Sequence, residues 1–319
     1  MHSPSPPRGG LLSLSLWALA CLGSVASAQN LTPLSDYSVI VSGNFSTNSD
    51  VEGRTLVGGN LTSSSSANFG IRLQNKVPKT DLVLRVQGNI ASGNPLQLNA
   101  GSLELGGTSN GRRINYNGGG SLISNPNADY SGIFNDLNAA SQSLSNLSAN
   151  SKGMLIANSP GQPGPFKMTA APDSNGLAVF SLSASDIFGN NKVQQIELIT
   201  NNAADILINV AGAVINWTAG NIVGDLTQDQ WSKRVIWNFY EATDINFGSK
   251  NMQGQVLAPN ASVTTSGVID GSIYAKNLTT TSEVHLPSYD GNIVVPEPSS
   301  ALLSLLGATA LLLRRKRNA

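Results

Sequence analysis

Two stretches that begin seventeen residues apart decide how this chain folds: MQGQVLAPNASV at residues 252–263 and IDGSIYAKNLTT at residues 269–280. Placed in register, Gly254 falls on Gly271, Ala258 on Ala275 and Asn260 on Asn277. Val256 and Ala258, like Ile273 and Ala275, alternate along their segments, and a period of two puts one row of side chains on one face of a strand. Neither copy is long enough to enclose a core alone, so burial requires coils stacked on one another. Gly and Asn beside the strands suit sharp corners, because both tolerate left-handed backbone. The segment VEGRTLVGGNLTS from Val51 repeats the theme with one more residue between Gly53 and Asn60. The expected fold is mainly β, a β-helix or β-solenoid.

One segment departs from the β period. ADYSGIFNDLNAASQSLSNLSA (128–149) spaces Ile133, Leu137, Ala140, Leu144 and Leu147 at steps of four and three. That is the apolar stripe of a surface helix over about residues 129–149, with Asp129 as its cap. It predicts one flanking amphipathic helix along the side of the solenoid. After the loop NSPGQPGPF come strand-like runs, LAVFSLS, VQQIELIT, ADILINVAGAVINW and RVIWNFYEAT. Asp205 to Trp217 is apolar at nearly alternate positions, which predicts a half-buried strand pair.

The termini read as addresses. Arg8, the apolar stretch Leu11–Val25 and then Ala26-Ser27-Ala28 have the form of a secretory signal, with signal peptidase cutting so that the mature chain starts at Gln29. An uncleaved anchor is one alternative. Lipidation at Cys21 is another, disfavoured by Ala18 where that pattern prefers Leu. Cys21 is the only cysteine, so its removal leaves no disulfide, thiolate metal site or Cys nucleophile. At the other end, Pro296-Glu297-Pro298, the apolar run Ala301–Leu313 and the basic cluster Arg314, Arg315, Lys316 and Arg317 follow in order. The run is short for a membrane-spanning helix of ~20 residues, and the bases would stay cytoplasmic. The arrangement resembles a PEP-CTERM sorting signal. The resemblance implies an exosortase-type transpeptidase partner, transient inner-membrane association and delivery to the envelope, surface or extracellular matrix. An ordinary C-terminal anchor, a transmembrane helix, is the alternative. The chain thus divides into a signal peptide at 1–28, a solenoid-like domain at 29–292 and a sorting segment at 293–319.

Composition narrows the function. Formal charge is zero, yet setting aside Arg8 and the four terminal bases leaves fourteen basic against nineteen acidic residues, a net of −5. No basic stripe remains for a phosphate backbone, so no nucleic acid partner is expected.

A family resemblance rests on Asp50-Val51-Glu52-Gly53 with Val57-Gly58-Gly59-Asn60, on Trp237-Asn238-Phe239 with Ala242-Thr243, and on Leu257-Ala258-Pro259-Asn260-Ala261 followed by GSIYAKNL. From about Leu31 to Gly291 the chain resembles the choice-of-anchor A family of bacterial surface proteins. Arg54-Thr55-Leu56 departs from the smaller, alanine-rich residues usual there. The resemblance implies a β-helical adhesive or matrix module with no established catalytic residues.

Little chemistry is visible otherwise. The histidines are His2 and His285, and His285 lies in no nucleophile-elbow context, so a Ser-His-Asp hydrolase lacks its setting. Zinc lacks ligands. Asp50 with Glu52, or Asp225 with Asp229, supply calcium-type oxygens without EF-hand spacing, and turn-forming carboxylates explain them more simply. A glycosidase needs two facing carboxylates, and nothing selects a pair from Glu52, Asp244, Asp270 and Glu283. Trp217, Trp231 and Trp237 offer sugar-stacking faces, although core packing suits Trp237 better. Thr264, Thr265, Thr279, Thr280 and Thr281 fall on successive coils, the pattern of an ice- or crystal-binding face. The reading is an exported adhesive or structural protein with no catalytic, cofactor or metal residues, touching exopolysaccharide or neighbouring cells. A polysaccharide-active enzyme or carbohydrate-binding protein, and an ice-binding protein, are the alternatives.

Overall fold

The computed structural model describes residues 31–295. Ala26 and Ala28, and Pro296, Glu297, Pro298, Arg314, Arg315, Lys316 and Arg317, lie outside the described residues. Among the described residues no helix is long and apolar enough to cross a membrane.

Short strands stack in parallel, as the repeat predicts. The main face has ten: β1 (Val39–Val41), β2 (Thr55–Val57), β3 (Leu82–Val86), β4 (Ser102–Leu105), β5 (Leu122–Ser124), β6 (Leu177–Ser183), β7 (Asp205–Ala211), β8 (Val235–Asn238), β9 (Gln255–Thr265) and β10 (Ile273–Thr280). Their spatial order is β5-β4-β3-β2-β1-β10-β9-β8-β7-β6. The chain therefore coils outward from β1 to β5, returns to the far end of the stack and coils back until β10 lies beside β1. Val39 pairs with Ile273 on one side and Thr55 on the other. The repeats at Val51 and Ile269, far apart in sequence, belong to one continuous stack.

Register carries the core through the seam. Ile208, Trp237, Val256, Ile273, Val39, Thr55, Leu84 and Leu103 form a single rank. All are buried, and at roughly 25 cal/mol per Å² of apolar surface such ranks are the main favourable contribution to folding. Gly254 and Gly271 lie between strands at φ +103° and +147°, backbone that L side chains rarely adopt. A Cβ on Gly271 would stand 2.3 Å from the Gly254 carbonyl oxygen of the coil below.

Several expectations need correction. Asn260 does not sit on Asn277, because the register shifts between Ala258 and Ser262 and Asn277 faces Ser262. β7 is buried along almost its whole length instead of half-buried. The reason is the helix α1 (Ser131–Ser145), which lies on the outer side of the main face. Leu137, Ala140 and Leu144 pack there with Leu207, Ile236, Leu257, Tyr274, Ile40 and Leu56. Strands covered on both sides need apolar residues on both sides. Polar groups under the helix are paired: Asn238 Nδ2 donates to Asn209 Oδ1 at 2.8 Å and to Ser141 O at 2.9 Å, and Asn209 Nδ2 donates to Leu144 O at 2.9 Å. The helix is shorter than the stripe suggests. Asp129 Oδ1 accepts the Ser131 N–H at 2.9 Å from outside the N-cap position, which Tyr130 occupies.

Beyond the helix start the outer face turns polar. Arg85 Nε donates to Glu104 Oε2 at 2.7 Å, Tyr130 OH to the same oxygen at 2.8 Å and Asn125 Nδ2 to Oε1 at 2.8 Å. Burial raises the Glu104 pKa, but the bonds from Asn125, Arg85 and Tyr130 outweigh it and hold the carboxyl below its ordinary 4.5. A depressed carboxylate stabilises the fold above its unfolded value, and that contribution disappears as pH falls through the folded value. Glu104→Ala removes the carboxylate that Arg85, Tyr130 and Asn125 share and should cost about 3 kcal/mol in urea unfolding. Glu104→Gln should cost less and flatten the loss of melting temperature below pH 4.5. An unchanged acid limb in Glu104→Gln contradicts the assignment.

Candidate functional site

Each coil bends from the main face into a second rank of strand segments. Here Ile215, Ile245, Val263, Leu278, Phe45 and Leu61 point inward and pair in sequence across the seam. Side chains one residue later point outward, because strand neighbours alternate. They are Asn216, Asn246, Thr264, Thr279, Ser46 and Thr62, again in register. All are exposed except half-buried Ser46. Parallel strands place successive members ~4.8 Å apart. Among the described residues the hydroxyls of Ser46, Thr264 and Thr279 have no partner, while Thr62 Oγ1 reaches Phe45 O only at 3.4 Å.

The next residue in each coil has a different task. Thr47, Ser63, Thr265 and Thr280 are buried, and each hydroxyl donates to the carbonyl two residues on, at 3.1, 2.9, 3.0 and 2.8 Å. These side-chain turns make the corner. The five threonines suggested by the sequence therefore separate. Thr264 and Thr279 form the outer row, Thr265 and Thr280 hold the corner, and Thr281 is exposed at the turn apex.

The residue before each inward position forms another column. Asn277 Oδ1 accepts the Asn44 N–H at 2.9 Å, Asn44 Oδ1 that of Asn60 at 2.9 Å, Asn60 Oδ1 that of Asn89 at 2.8 Å and Asn89 Oδ1 that of Thr108 at 2.8 Å. None of these asparagines has positive φ. They occupy the corner for their amide oxygens, and tolerance of left-handed backbone does not explain them. Sequence reasoning missed Asn44, Asn89, Ser46 and Thr62. The signal is present as GNFST (43–47), GNLTS (59–63), GNIAS (88–92) and KNLTT (276–280).

The other proposed residues fall elsewhere. His285 lies between Asp270, with Nδ1 2.6 Å from Oδ1, and Glu283, with Nε2 2.7 Å from Oε2. Glu52 borders this group, accepting the Leu286 N–H at 2.9 Å and pairing with Arg72 at 3.0 Å. Asp244 faces Ser262 on the hydroxyl face instead. Asp50 accepts from Asn68 through backbone and side chain, and Asp225 accepts from Gln228. Among the described residues no cluster of His, Cys, Asp or Glu is arranged to hold a metal ion. Trp217 and Trp237 are core residues, their indole N–H groups donating to Ala219 O and Gln253 O at 2.8 Å. Trp231 is half-buried against the same core. A shallow cleft of about 330 Å³ between Met154, Phe166, Leu182 and Asp186 holds none of the residues singled out from the sequence.

Residues 30–286 match the family described as "Putative Ice-binding-like adhesive domain", and the chain belongs to that family. No curated protein matches it. Among solved structures it is similar to an ice-binding protein of the Antarctic ascomycete Antarctomyces psychrotrophicus, at 12% identity over 84% of this chain and 100% of that one, with a TM-score of 0.33. An ice-binding protein from an Antarctic biological consortium matches at 14% identity over 89% and 94%, TM-score 0.30. The DUF3494 domain of ice-binding protein 1 from Shewanella frigidimarina matches at 12% over 84% and 99%, TM-score 0.27. Superpositions this loose say nothing of what the chain binds.

The His285 group ties the last coil to its neighbours. Burial lowers the His285 pKa, and the bonds to Glu283 and Asp270 more than reverse this, so the imidazolium persists above its ordinary 6.5. Its stabilisation is complete below the unfolded value and lost as pH rises through the folded one. Thermal melts should therefore show stability falling on the alkaline side of pH 6.5, with His285→Ala removing that slope. A slope that survives His285→Ala assigns it to another group.

Proposed function

We propose that this member of the ice-binding-like adhesive domain family is a non-enzymatic, exported adhesive module, and that its row of outward hydroxyls and amides makes the contact. The observation that carries the reading is the division of labour between adjacent Thr and Ser residues. One set is buried in corner turns, while Ser46, Thr264 and Thr279 stand in register with unused hydroxyls. Such groups exchange hydrogen bonds with the hydroxyls of a polysaccharide, and repetition at strand spacing sums weak contacts into avidity. Export rests on the signal-like segment ending at Ala26 and Ala28. Sorting by an exosortase-type enzyme rests on the resemblance of Pro296-Glu297-Pro298, the apolar run and Arg314–Arg317 to a PEP-CTERM signal.

Ice binding is the second reading, favoured by the paired, unpartnered Thr264 and Thr279. The row does not continue as threonine, since Asn216, Asn246 and Ser46 interrupt it and Asp244 stands in the column beside it. Mixed amides, hydroxyls and charge suit a polymer better than a lattice.

The experiment is a sedimentation assay of the domain with exopolysaccharide from the producing cells. The native domain should be retained without releasing reducing sugars. Thr264→Tyr with Thr279→Tyr should weaken retention about tenfold, a loss of ~1.4 kcal/mol, at unchanged melting temperature. Sugar release would establish an enzyme. Thermal hysteresis that vanishes in the double variant, with no polymer retained, would establish ice binding.

A further inference from the structure

We infer that the asparagine column Asn44–Asn60–Asn89 is itself a ligand-binding surface, and that it selects polysaccharides bearing pendant acyl or carboxylate oxygens. This rests on the adhesive reading above and specifies the chemistry that the adhesive face accepts.

The argument begins with the polarity of an amide. Each column member has its oxygen committed to a backbone N–H of the next coil. A backbone N–H only donates, so the amide oxygen must face it, and the NH2 must face away. Asn44, Asn60 and Asn89 are exposed, and among the described residues their Nδ2 groups have no partner. In the other half of the stack the arrangement is different, because Asn277 Nδ2 donates to Ser262 Oγ at 3.0 Å. The first three coils thus display a row of donors at strand spacing of ~4.8 Å, with no side-chain acceptor of the same residues facing the ligand.

The coils that carry the row add no charge of their own, and the exposed Lys276 flanks it at the Gly43 end, where Gly43 N–H donates to Lys276 O. No ionisable residue occurs in SGNFSTN (42–48), GGNLTSS (58–64), GNIAS (88–92) or GGTSN (106–110). Beside the column the backbone is bare at Gly43, Gly59, Gly88 and Gly107. These glycines are required by packing, since a Cβ on Gly88 would meet Gly59 O at 2.5 Å and one on Gly107 would meet Gly88 O at 2.6 Å. One consequence is that these four positions put no side chain of their own beside the column. A donor-only row is best matched by oxygens that accept and cannot donate: the carbonyl of an N-acetyl or O-acetyl group, or a uronate carboxylate. A polymer with hydroxyls alone satisfies the neighbouring Ser and Thr column equally well but gains less from the amides.

Asn→Asp substitution separates binding from structure. A carboxylate oxygen still accepts the N–H of the next coil, while the outward donor becomes an acceptor. The full described domain would be titrated with N-acetylglucosamine hexamer, oligo-uronate and cellohexaose. Expected are tighter binding of the first or the second probe than of cellohexaose, and weakening of roughly fivefold in Asn60→Asp, the loss of one hydrogen bond, with melting temperature retained. Tighter binding of the hexamer alone identifies an acyl ligand, and of the oligo-uronate alone a carboxylate ligand. Side-chain amide resonances of Asn44, Asn60 and Asn89 in the native domain provide a readout that needs no variant, and they should shift on titration. Equal binding of cellohexaose, unshifted amide resonances, or an Asn60→Asp domain that binds normally while the Thr264 and Thr279 double variant fails, overturns this inference and leaves the adhesive reading intact. Failure to bind any probe or the cells' own polymer overturns both.

Discussion

The structure depends on the pairing of its first strand with its last. Val39, Ile40 and Val41 lie beside Ile273, Tyr274 and Ala275, and nothing in the chain order between them requires it. Each half of the stack ends at this seam with an open parallel edge and a cross-section of apolar core. A parallel edge with both sides buried has little alternative to pairing. Closing it costs the entropy of a loop of more than two hundred residues, but that cost grows only logarithmically with length. Continuity of the inward rank from Val256 through Ile273 and Val39 to Thr55 offsets it.

Everything external follows from which side of that stack is covered. The helix takes the outer side of the main face, and its Asn138 accepts from Tyr274 OH at 2.7 Å on the last coil. With that face closed, the outward residues of the second rank are free to be polar, and the hydroxyls of Ser46, Thr264 and Thr279 have no partner among the described residues. The ends of the stack are unlike. Asn150 closes the β6 edge, donating through its backbone to Val179 O at 3.1 Å and accepting the Val179 N–H at 2.8 Å. At the β5 end Leu122 and Ile123 remain 50% and 40% exposed.

The coil repeat at Met252 and Ile269, the parallel β architecture and the flanking helix were all legible in the sequence, because two-residue and 3.6-residue periods are local properties. The order of coils was not. Nothing in the residues around Val39 says that they meet Ile273 before Thr55 in the completed stack. The burial of both sides of Asp205–Ala211 was hidden for a related reason, since the helix that covers it comes from sixty residues earlier in the chain. On the functional face, Thr264 and Thr279 could be proposed from their spacing, whereas Thr265 and Thr280 look the same in sequence. Only the corner turn distinguishes them. Asn44 and Asn89 were missed because asparagine in a glycine-rich stretch suggests a turn, and an amide ladder between coils becomes visible only with the register.

The seam between the halves crosses the outward row between Ser46 and Thr279, which face one another directly. A Ser46→Cys, Thr279→Cys double variant in a domain lacking Cys21 therefore tests the account where fold and function meet. Adjacent strands place such a pair within the Cα separation a disulfide requires, about 4.4–6.8 Å. Mild oxidation should close an intramolecular disulfide nearly completely, seen by mass spectrometry. The displaced pair Ser46→Cys with Thr281→Cys should stay largely reduced. A reduced first pair, or equal oxidation of both, would contradict the closed stack on which the proposed contact row depends.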